Sequence, residues 1–110
     1  MHLIAEFYGC DGLEDHALIR QALLAVAKAS GATILDQRYH EFIPQGLTSY
    51  VLLKESHISI HTWPEHGYAA VDVFTCGENM KPELALDYLE RELNPTRLII
   101  KKISRGRLGE

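Results

Sequence analysis

The stretch "LLKESHISIHTWPEHGYAAVDVFTCG", residues 52–77, decides the fold. Its short runs of β-branched and aromatic residues are typical of strands, and we predict strands over residues 49–53, 57–62 and 68–75. The polar quartet KESH, residues 54–57, separates the first two runs. Polar residues in that position usually form a hairpin turn, but the quartet has no glycine, asparagine or aspartate, which tight turns favour. The sequence therefore predicts a chain reversal of unusual chemistry.

The rest of the chain supplies two helices and three more strands. Apolar residues at spacings of three and four predict a helix over residues 13–30, with Asp11 or Asp15 as its N-cap. A second helix is expected from Pro82 to the Asn94-Pro95 pair. Further strands are predicted over residues 2–8, 32–40 and 97–103. The order βαββββαβ indicates an α+β fold, a two-layer sandwich of one mostly antiparallel sheet with both helices on a single face.

Length and charge limit the functions open to the chain. At 110 residues it fits one domain, and its formal charge of −4 gives no general attraction to nucleic acid or anionic membranes. The one basic segment, "KKISRGR" at residues 101–107, lacks interleaved aromatic residues, so we interpret it as a solvated strand end. The N-terminus has no signal-peptide pattern, and we expect a cytoplasmic protein with Cys10 and Cys76 as free thiols.

A metal site formed by His57, His61 and His66 is an alternative interpretation of the histidines. On a strand, His57 and His61 share a face but lie about 13 Å apart, at about 3.3 Å per residue. Two ligands of one zinc ion each need a nitrogen about 2 Å from the metal. We therefore predict no metal in this protein.

The segment "ESHISIHTWPEHGYAAVDVFTCG", with "HLIAEFYGC" near the start, "SGATIL" after the first helix and "RGR" near the end, resembles the short, prokaryotic type of S-adenosylmethionine decarboxylase. The resemblance extends over nearly the whole chain. It implies a proenzyme that cuts itself between Glu55 and Ser56, leaving a β chain of residues 1–55 and an α chain of residues 56–110. Ser56 would then become a covalent pyruvoyl cofactor.

The chemistry that this resemblance implies begins at Ser56. Decarboxylation of an amino acid leaves a carbanion, so a Schiff base to an electrophilic carbonyl is needed as an electron sink. No ordinary side chain provides such a carbonyl. In the family, the serine hydroxyl attacks the carbonyl of the preceding residue, here Glu55, to form an ester. Loss of the α-proton then expels the carboxylate, and hydrolysis of the resulting dehydroalanine gives the pyruvoyl group.

The resemblance assigns two further catalytic residues. His61 would handle protons at the ester stage of processing, which suits an imidazole at neutral pH. In a flat strand, however, Ser56 and His61 point to opposite faces, so we expect a bend that brings them together. Cys76 would protonate the α-carbon after carbon dioxide leaves. A hydroxyl is also implied near the site, from either Thr48 or Ser49.

Substrate contacts are implied at four positions. Phe42 and Trp63 match aromatic contacts of the family, and Glu65 matches the acid that accepts hydrogen bonds from the ribose hydroxyls. Glu6 is expected to be a buried acid near the site. Aromatic faces and carboxylates suit a ligand that joins a sulfonium cation, an adenine and a ribose.

The function implied is decarboxylation of S-adenosylmethionine to the aminopropyl donor for spermidine synthesis. Two alternatives stay open at this point: a pyruvoyl-dependent decarboxylase of another amino acid, such as arginine or ornithine, and an unprocessed relative without catalysis. Because the predicted helices cover one face of the sheet, the other face is wet or covered by a second copy. We expect a homodimer of processed αβ units.

Overall fold

In the part of the chain that the structure describes, six strands and two α-helices follow one another in the predicted order, and the α+β class is confirmed. The computed structural model describes residues 1–54, 56–75 and 81–105. The helices are α1 (His16–Ala29) and α2 (Pro82–Leu93). The strands are β1 (His2–Tyr8), β2 (Ile34–Glu41), β3 (Leu47–Leu53), β4 (Ser56–Trp63), β5 (Tyr68–Thr75) and β6 (Arg97–Ile103), and a short 3-10 turn (Pro64–His66) joins β4 to β5.

All neighbouring strands run antiparallel in one sheet of order β2-β3-β4-β5-β1-β6. Strands β3, β4 and β5 are consecutive along the chain and adjacent in the sheet. Strand β1 then inserts between β5 and β6, so that α1 must cross the sheet before the chain returns as β2 on the far edge. Strands β4 and β5 thus form the middle of the sheet.

The predicted strand ends agree with the structure to within a few residues. Strands β1, β5 and β6 have the predicted bounds, β2 begins two residues later than predicted, and β3 begins two residues earlier. The early start of β3 has a local cause, because the Leu47 amide donates to Thr62 Oγ1 on β4 at 3.0 Å. The connection between β3 and β4 is short, and the Lys54 amide donates to Thr33 O at 2.9 Å.

Capping residues set the ends of both helices. The Asp15 side chain accepts from the Leu18 amide at 3.1 Å, so Asp15 rather than Asp11 is the N-cap of α1. Helix α2 begins with Pro82, whose fixed φ suits a first helical position. It ends at Asn94, which has a left-handed φ of 46°. Helix α2 therefore begins and ends where the sequence predicts, whereas α1 begins three residues later and ends one residue earlier than the predicted range of residues 13–30.

The hydrophobic core lies between the helices and one face of the sheet. Alternate residues of β1, β3, β4 and β5 are buried against Ile19, Leu23 and Val26 of α1 and Leu86 and Leu89 of α2. Each fully buried large apolar side chain contributes about 1.5–3 kcal/mol of transfer free energy. The core thus fixes which face of each strand points away from the helices.

The opposite side of the sheet, called the open face below, consists of the even-numbered residues of β1, β3 and β5 and the odd-numbered residues of β4. Neither of the two described helices lies over it. Tyr50, Leu52 and Trp63 on this face are 42%, 44% and 43% exposed. Tyr50 and Leu52 are successive residues of β3 on this face, and exposed apolar side chains that adjoin one another mark interaction sites more often than scattered ones do.

Neither helix of the described residues is long and apolar enough to span a bilayer. The cytoplasmic location stays a prediction. Cys10 is a free, half-buried thiol, and burial raises its pKa to about 11, with a smaller contribution from Asp11. A thiol with that pKa is almost entirely protonated at neutral pH and is a weak nucleophile.

Candidate active site

Ser56, the residue at the predicted cleavage position, is the first residue of β4 and is half buried. It pairs with Thr75 of β5. Its φ of 157° is a positive value that residues with a side chain rarely adopt. Its Oγ lies 3.4 Å from His57 Nδ1. Glu55, the other side of the predicted cleavage site, lies outside the described residues. Pairing of β4 with both neighbours would keep the segment after a cut within the sheet.

Three basic side chains surround Phe74 at the end of the open face that is nearest to Ser56. The His2 and His57 rings lie 5.3 and 5.9 Å from the Phe74 ring, centroid to centroid. The Arg105 guanidinium carbon lies 4.5 Å from the Phe74 centroid. We call His2, His57, Phe74 and Arg105 the Phe74 cluster. Cys76, the predicted proton donor, follows Phe74 by two positions and lies outside the described residues.

His61 lies near the other end of β4, on the open face. Its Nδ1 is 2.9 Å from Thr48 Oγ1 on β3. Ser49 points to the opposite side of the sheet, where it is fully buried and its Oγ donates to Arg38 O at 3.1 Å. Of the two hydroxyls that the sequence left open, the structure therefore places that of Thr48 beside His61.

Ser56 and His61 do not meet within one chain. Strand β4 pairs residue by residue with β5 from Ser56 to Trp63, without a shift in register. At about 3.3 Å per residue, five steps separate the two positions by about 16 Å. The bend that was expected between them is absent from β4, so that expectation is wrong. The reason is that both backbone edges of this central strand are already occupied by β3 and β5.

A pocket of about 290 Å³ opens at the His61 end of β4. Three of the predicted substrate contacts line it, namely Phe42, Trp63 and Glu65. The other lining residues are Gln45, Gly46, Thr48, His61 and Thr62. The volume is at the lower end of the range of about 300–1,000 Å³ for small-molecule sites. One chain thus provides an aromatic and acidic pocket of a size that holds part of a large ligand.

Glu65 is held in place from the hairpin between β2 and β3. Gln45 Nε2 donates to Glu65 Oε2 at 3.0 Å. Gly46 closes this hairpin with a φ of 108°, and its carbonyl accepts from the Phe42 amide at 2.9 Å. The hairpin therefore brings Phe42 and Gln45 to the pocket from the chain segment before β3.

Glu6 lies on the open face but does not line the pocket. Its Oε2 accepts hydrogen bonds from the Tyr68 hydroxyl at 2.6 Å and from the Tyr8 hydroxyl at 3.2 Å. Burial, followed by the hydrogen bond to Glu6, raises the pKa of the Tyr68 hydroxyl well above its ordinary value. In this chain Glu6 thus binds tyrosine hydroxyls, whereas the sequence predicts a contact with the substrate.

An aromatic row connects Glu6 to the pocket. The Tyr68 ring stacks on Tyr8 on one side and on Trp63 on the other, with centroids 5.3 Å apart in both pairs. Trp63 in turn lies 6.4 Å from the His61 ring. Offset stacking of this kind contributes about 0.5–1.5 kcal/mol per pair beyond area burial. Glu6 therefore influences the pocket by fixing Tyr68, against which the Trp63 indole packs.

The histidines that were considered as metal ligands lie apart. His57 belongs to the Phe74 cluster and His61 to the pocket. Over residues 1–54, 56–75 and 81–105, no group of three or more His, Cys, Asp or Glu side chains is arranged to hold a metal ion.

Sequence reasoning missed two parts of the site. Gln45 gave no signal, because a glutamine between proline and glycine is typical of a hairpin tip. The Phe74 cluster is built from β1, β4, β5 and the segment after β6, and these positions are separated by up to 103 residues. His57 and Phe74 meet through the pairing of β4 with β5, whereas His2 and Arg105 join them only through the insertion of β1 between β5 and β6. The KESH quartet did place His57 next to Ser56, but we considered His57 only as a metal ligand.

Comparison with known proteins identifies a single family. The family model described as S-adenosylmethionine decarboxylase matches residues 1–106. A relative from Thermotoga maritima named S-adenosylmethionine decarboxylase proenzyme is 46% identical over 111 residues, which cover 99% of this chain and 85% of the relative. One with the same name from Methanococcus maripaludis is 49% identical, covering 96% and 88%. The crystal structure of the adenosylmethionine decarboxylase from Aquifex aeolicus superposes with a TM-score of 0.80 at 41% identity, covering 99% of this chain and 95% of that one.

Proposed function

The chain belongs to the S-adenosylmethionine decarboxylase family, and we propose that it removes the carboxyl group of S-adenosylmethionine as carbon dioxide with a pyruvoyl group made from its own Ser56. The product would be the aminopropyl donor for spermidine synthesis. The observation that supports this most strongly is the joint presence of a serine at the start of β4, beside the imidazole of His57, and of an aromatic and acidic pocket at the other end of the same strand. The family match over residues 1–106 covers both features.

The chain is a single self-processing domain in this proposal. The cut falls between Glu55 and Ser56, giving a β chain of residues 1–55 and an α chain of residues 56–110. Strand β3 would belong to one fragment and β4 to the other, and the two pair along six residue positions from Leu47 to Leu52. The core shared by both fragments includes Leu3, Val51 and Ile58. Hydrogen bonds and apolar burial therefore hold the fragments together after cleavage.

The surroundings of Ser56 fit an uncharged three-carbon group. Ser56 is half buried, and its Oγ lies 3.4 Å from Nδ1 of His57, whose ring packs against Phe74. When present, the pyruvoyl group supplies the electron sink that no ordinary side chain provides. His61 handles protons during processing, and Cys76 gives a proton to the α-carbon after carbon dioxide leaves. Most of a thiol population with an ordinary pKa is protonated at neutral pH, which suits a general acid.

The pocket binds the nucleoside end of the substrate in this proposal. Phe42 and Trp63 offer faces for the adenine, and the Glu65 carboxylate accepts hydrogen bonds from the ribose hydroxyls. Gln45 orients Glu65, and Glu6 acts through Tyr68 and Trp63.

A homodimer of processed αβ units completes the site. Within one chain about 16 Å of strand separates Ser56 from His61 and its pocket, which is too far for either to serve the other. A second copy packed on the open face with its β4 antiparallel brings the Ser56 end of one chain to the His61 end of the other. The exposed Tyr50, Leu52 and Trp63 are the apolar surface that this contact would bury.

Intact-mass measurement tests the proposal directly. We expect two fragments, with that of residues 56–110 lighter than its sequence by one ammonia, the change from an N-terminal serine to a pyruvoyl group. The purified protein should release carbon dioxide from S-adenosylmethionine, and not from arginine or ornithine. An uncut chain with full activity would contradict the cofactor, and release from arginine alone would contradict the substrate. The Ser56→Ala variant is the control, since it cannot form the ester.

A further inference from the structure

Self-cleavage starts with a proton transfer from the Ser56 hydroxyl, and none of the residues assigned so far is the base for that step. The Ser56 hydroxyl must lose its proton to attack the Glu55 carbonyl, whereas His61 acts later, at the ester. In one chain His61 lies about 16 Å along β4 from Ser56. A general base must come within hydrogen-bond reach of the proton it removes. The first step therefore needs a basic atom close to Ser56 Oγ.

His57 Nδ1 is such an atom, at 3.4 Å from Ser56 Oγ. A long contact of this kind is usual before reaction, because catalytic hydrogen bonds often tighten only as the reaction proceeds. Ser56 and His57 are neighbours on one strand, where side chains normally alternate between faces. The φ of 157° at Ser56 differs from that of an ordinary strand residue, and the Ser56 Oγ lies within reach of Nδ1 of His57, whose ring is on the open face.

The His57 ring packs against a side chain of the neighbouring strand β5. Phe74, its partner across β4 and β5, meets it edge to face at an interplanar angle of 65°. The Arg105 guanidinium covers the Phe74 ring, and an Arg105 nitrogen lies 3.4 Å from His2 Nδ1. Each of these contacts restricts the rings of the Phe74 cluster. The cluster therefore holds the His57 imidazole where its Nδ1 faces the serine.

We propose that His57 is the base that starts self-cleavage, by accepting the Ser56 hydroxyl proton during the shift of the Glu55 acyl group from nitrogen to oxygen. This inference rests on the proposed self-cleavage. It makes the first step a reaction within one chain, and leaves to His61 only the second step, at the ester. Phe74 is a positioning residue for His57 in this scheme.

The step needs no other reactant. Nδ1 of the Nε2–H tautomer takes the proton from Ser56 Oγ, and the oxygen electron pair forms a bond to the Glu55 carbonyl carbon. The bond from that carbon to the Ser56 nitrogen then breaks, with its electron pair remaining on the nitrogen. The nitrogen takes the proton back from His57. The products are an ester between Glu55 and Ser56 and a free amine at Ser56, with the imidazole neutral again.

Hydroxylamine distinguishes the two steps, because at neutral pH it cleaves esters and leaves amides intact. We would follow processing of freshly expressed full-length chain by intact mass, with and without hydroxylamine, in the wild type and in the variants His57→Gln and His61→Gln. General-base catalysis contributes about 10²–10⁴-fold, so His57→Gln should slow cutting by roughly that factor. Its uncut chain should resist hydroxylamine. The uncut His61→Gln chain should be cut by hydroxylamine between residues 55 and 56.

Rescue by added imidazole separates loss of a base from misfolding. The His57→Ala variant should regain cutting in imidazole, while a misfolded variant should not. Cutting of His57→Gln at the wild-type rate, or an uncut His57→Gln chain that hydroxylamine cleaves, would overturn the assignment of His57 and leave the proposed function standing. A wild-type chain that is never cut would instead contradict the proposed self-cleavage itself.

Discussion

The two ends of β4 provide different parts of one chemistry. At the Ser56 end, side chains from three other chain segments pack around Phe74, and Ser56 Oγ lies beside the His57 imidazole. At the His61 end, the side chains line a pocket of about 290 Å³. The Ser56 end has a hydroxyl and an imidazole, which suit a reaction of the chain with itself, and the His61 end has a pocket, which suits binding of another molecule. A regular central strand keeps them apart, and a second copy would bring them together.

Removing the hydroxyl at the Ser56 end should have the largest effect. The Ser56→Ala variant has no nucleophile for the ester and no source of the pyruvoyl group, so we expect neither cutting nor carbon dioxide release. Ser59→Ala is the matched control, because Ser59 lies on the same strand, three residues further along the chain. Its processing should be normal. Activity retained in an uncut Ser56→Ala chain would break the assignment of the Ser56 end to cofactor formation.

Replacing Cys76 should separate turnover from processing. In the proposed mechanism its thiol acts only after carbon dioxide leaves, so Cys76→Ser should be cut normally but turn over about 10²–10⁴-fold more slowly. Intact mass reports the cutting and carbon dioxide release the turnover. Cys10→Ser is the control, since the half-buried Cys10 thiol lies in the turn after β1 and has a pKa of about 11. Equal losses in the two variants would contradict the role of Cys76.

Substitution in the pocket should affect binding while cutting proceeds. Glu65→Gln loses a charged acceptor for the ribose hydroxyls, and hydrogen bonds to charged groups contribute about 1.5–3 kcal/mol each. We expect kcat/KM to fall roughly 10–100-fold, mainly through KM, with processing at the wild-type rate. Glu83→Gln on α2 is the matched control away from the pocket. Slower cutting in Glu65→Gln would contradict the assignment of processing to the Ser56 end and of substrate binding to the pocket.

The sequence predicted the strands and helices better than it predicted the contacts between them. Alternation and capping signals located the strands and helices, because each depends on a few neighbouring residues, as Asp15 and the Leu18 amide illustrate. The pocket residues Phe42, Trp63 and Glu65 came from the family resemblance, and the structure brings them together. The expected bend between Ser56 and His61 was wrong, because chain proximity was taken for spatial proximity. The partners of Glu6 and the Phe74 cluster depend on the position of β1 in the sheet, which local patterns do not encode.

Mixing two inactive variants tests whether the ends meet across a dimer. In a heterodimer of Ser56→Ala and His61→Ala chains, one composite site has an intact Ser56 facing an intact His61. If the two chains are present in equal amounts and pair at random, about half of the dimers are heterodimers. Each heterodimer has one complete site out of two, so co-expression should restore about a quarter of the wild-type number of sites. Cut α chain should derive only from the His61→Ala chain. No recovery, together with a monomer by light scattering, would exclude a shared site.

The smallest effect is expected at the tyrosine that joins Glu6 to the pocket. Tyr68→Phe keeps the stack with Trp63 but removes the hydroxyl that donates to Glu6 Oε2 at 2.6 Å, which should lower the free energy of unfolding by about 1–2 kcal/mol. Because burial raises the Tyr68 pKa in the folded chain, its hydroxyl stabilises the fold below the ordinary tyrosine pKa of 10.0 and loses that contribution as pH rises further. Urea unfolding should therefore show a steeper loss of stability above that pH in the wild type than in Tyr68→Phe. Tyr50→Phe, which removes an exposed hydroxyl from the same face, is the matched control for the loss of stability at neutral pH. If stability falls with pH equally in the wild type and in Tyr68→Phe, the hydrogen bond from Tyr68 to Glu6 does not stabilise the fold.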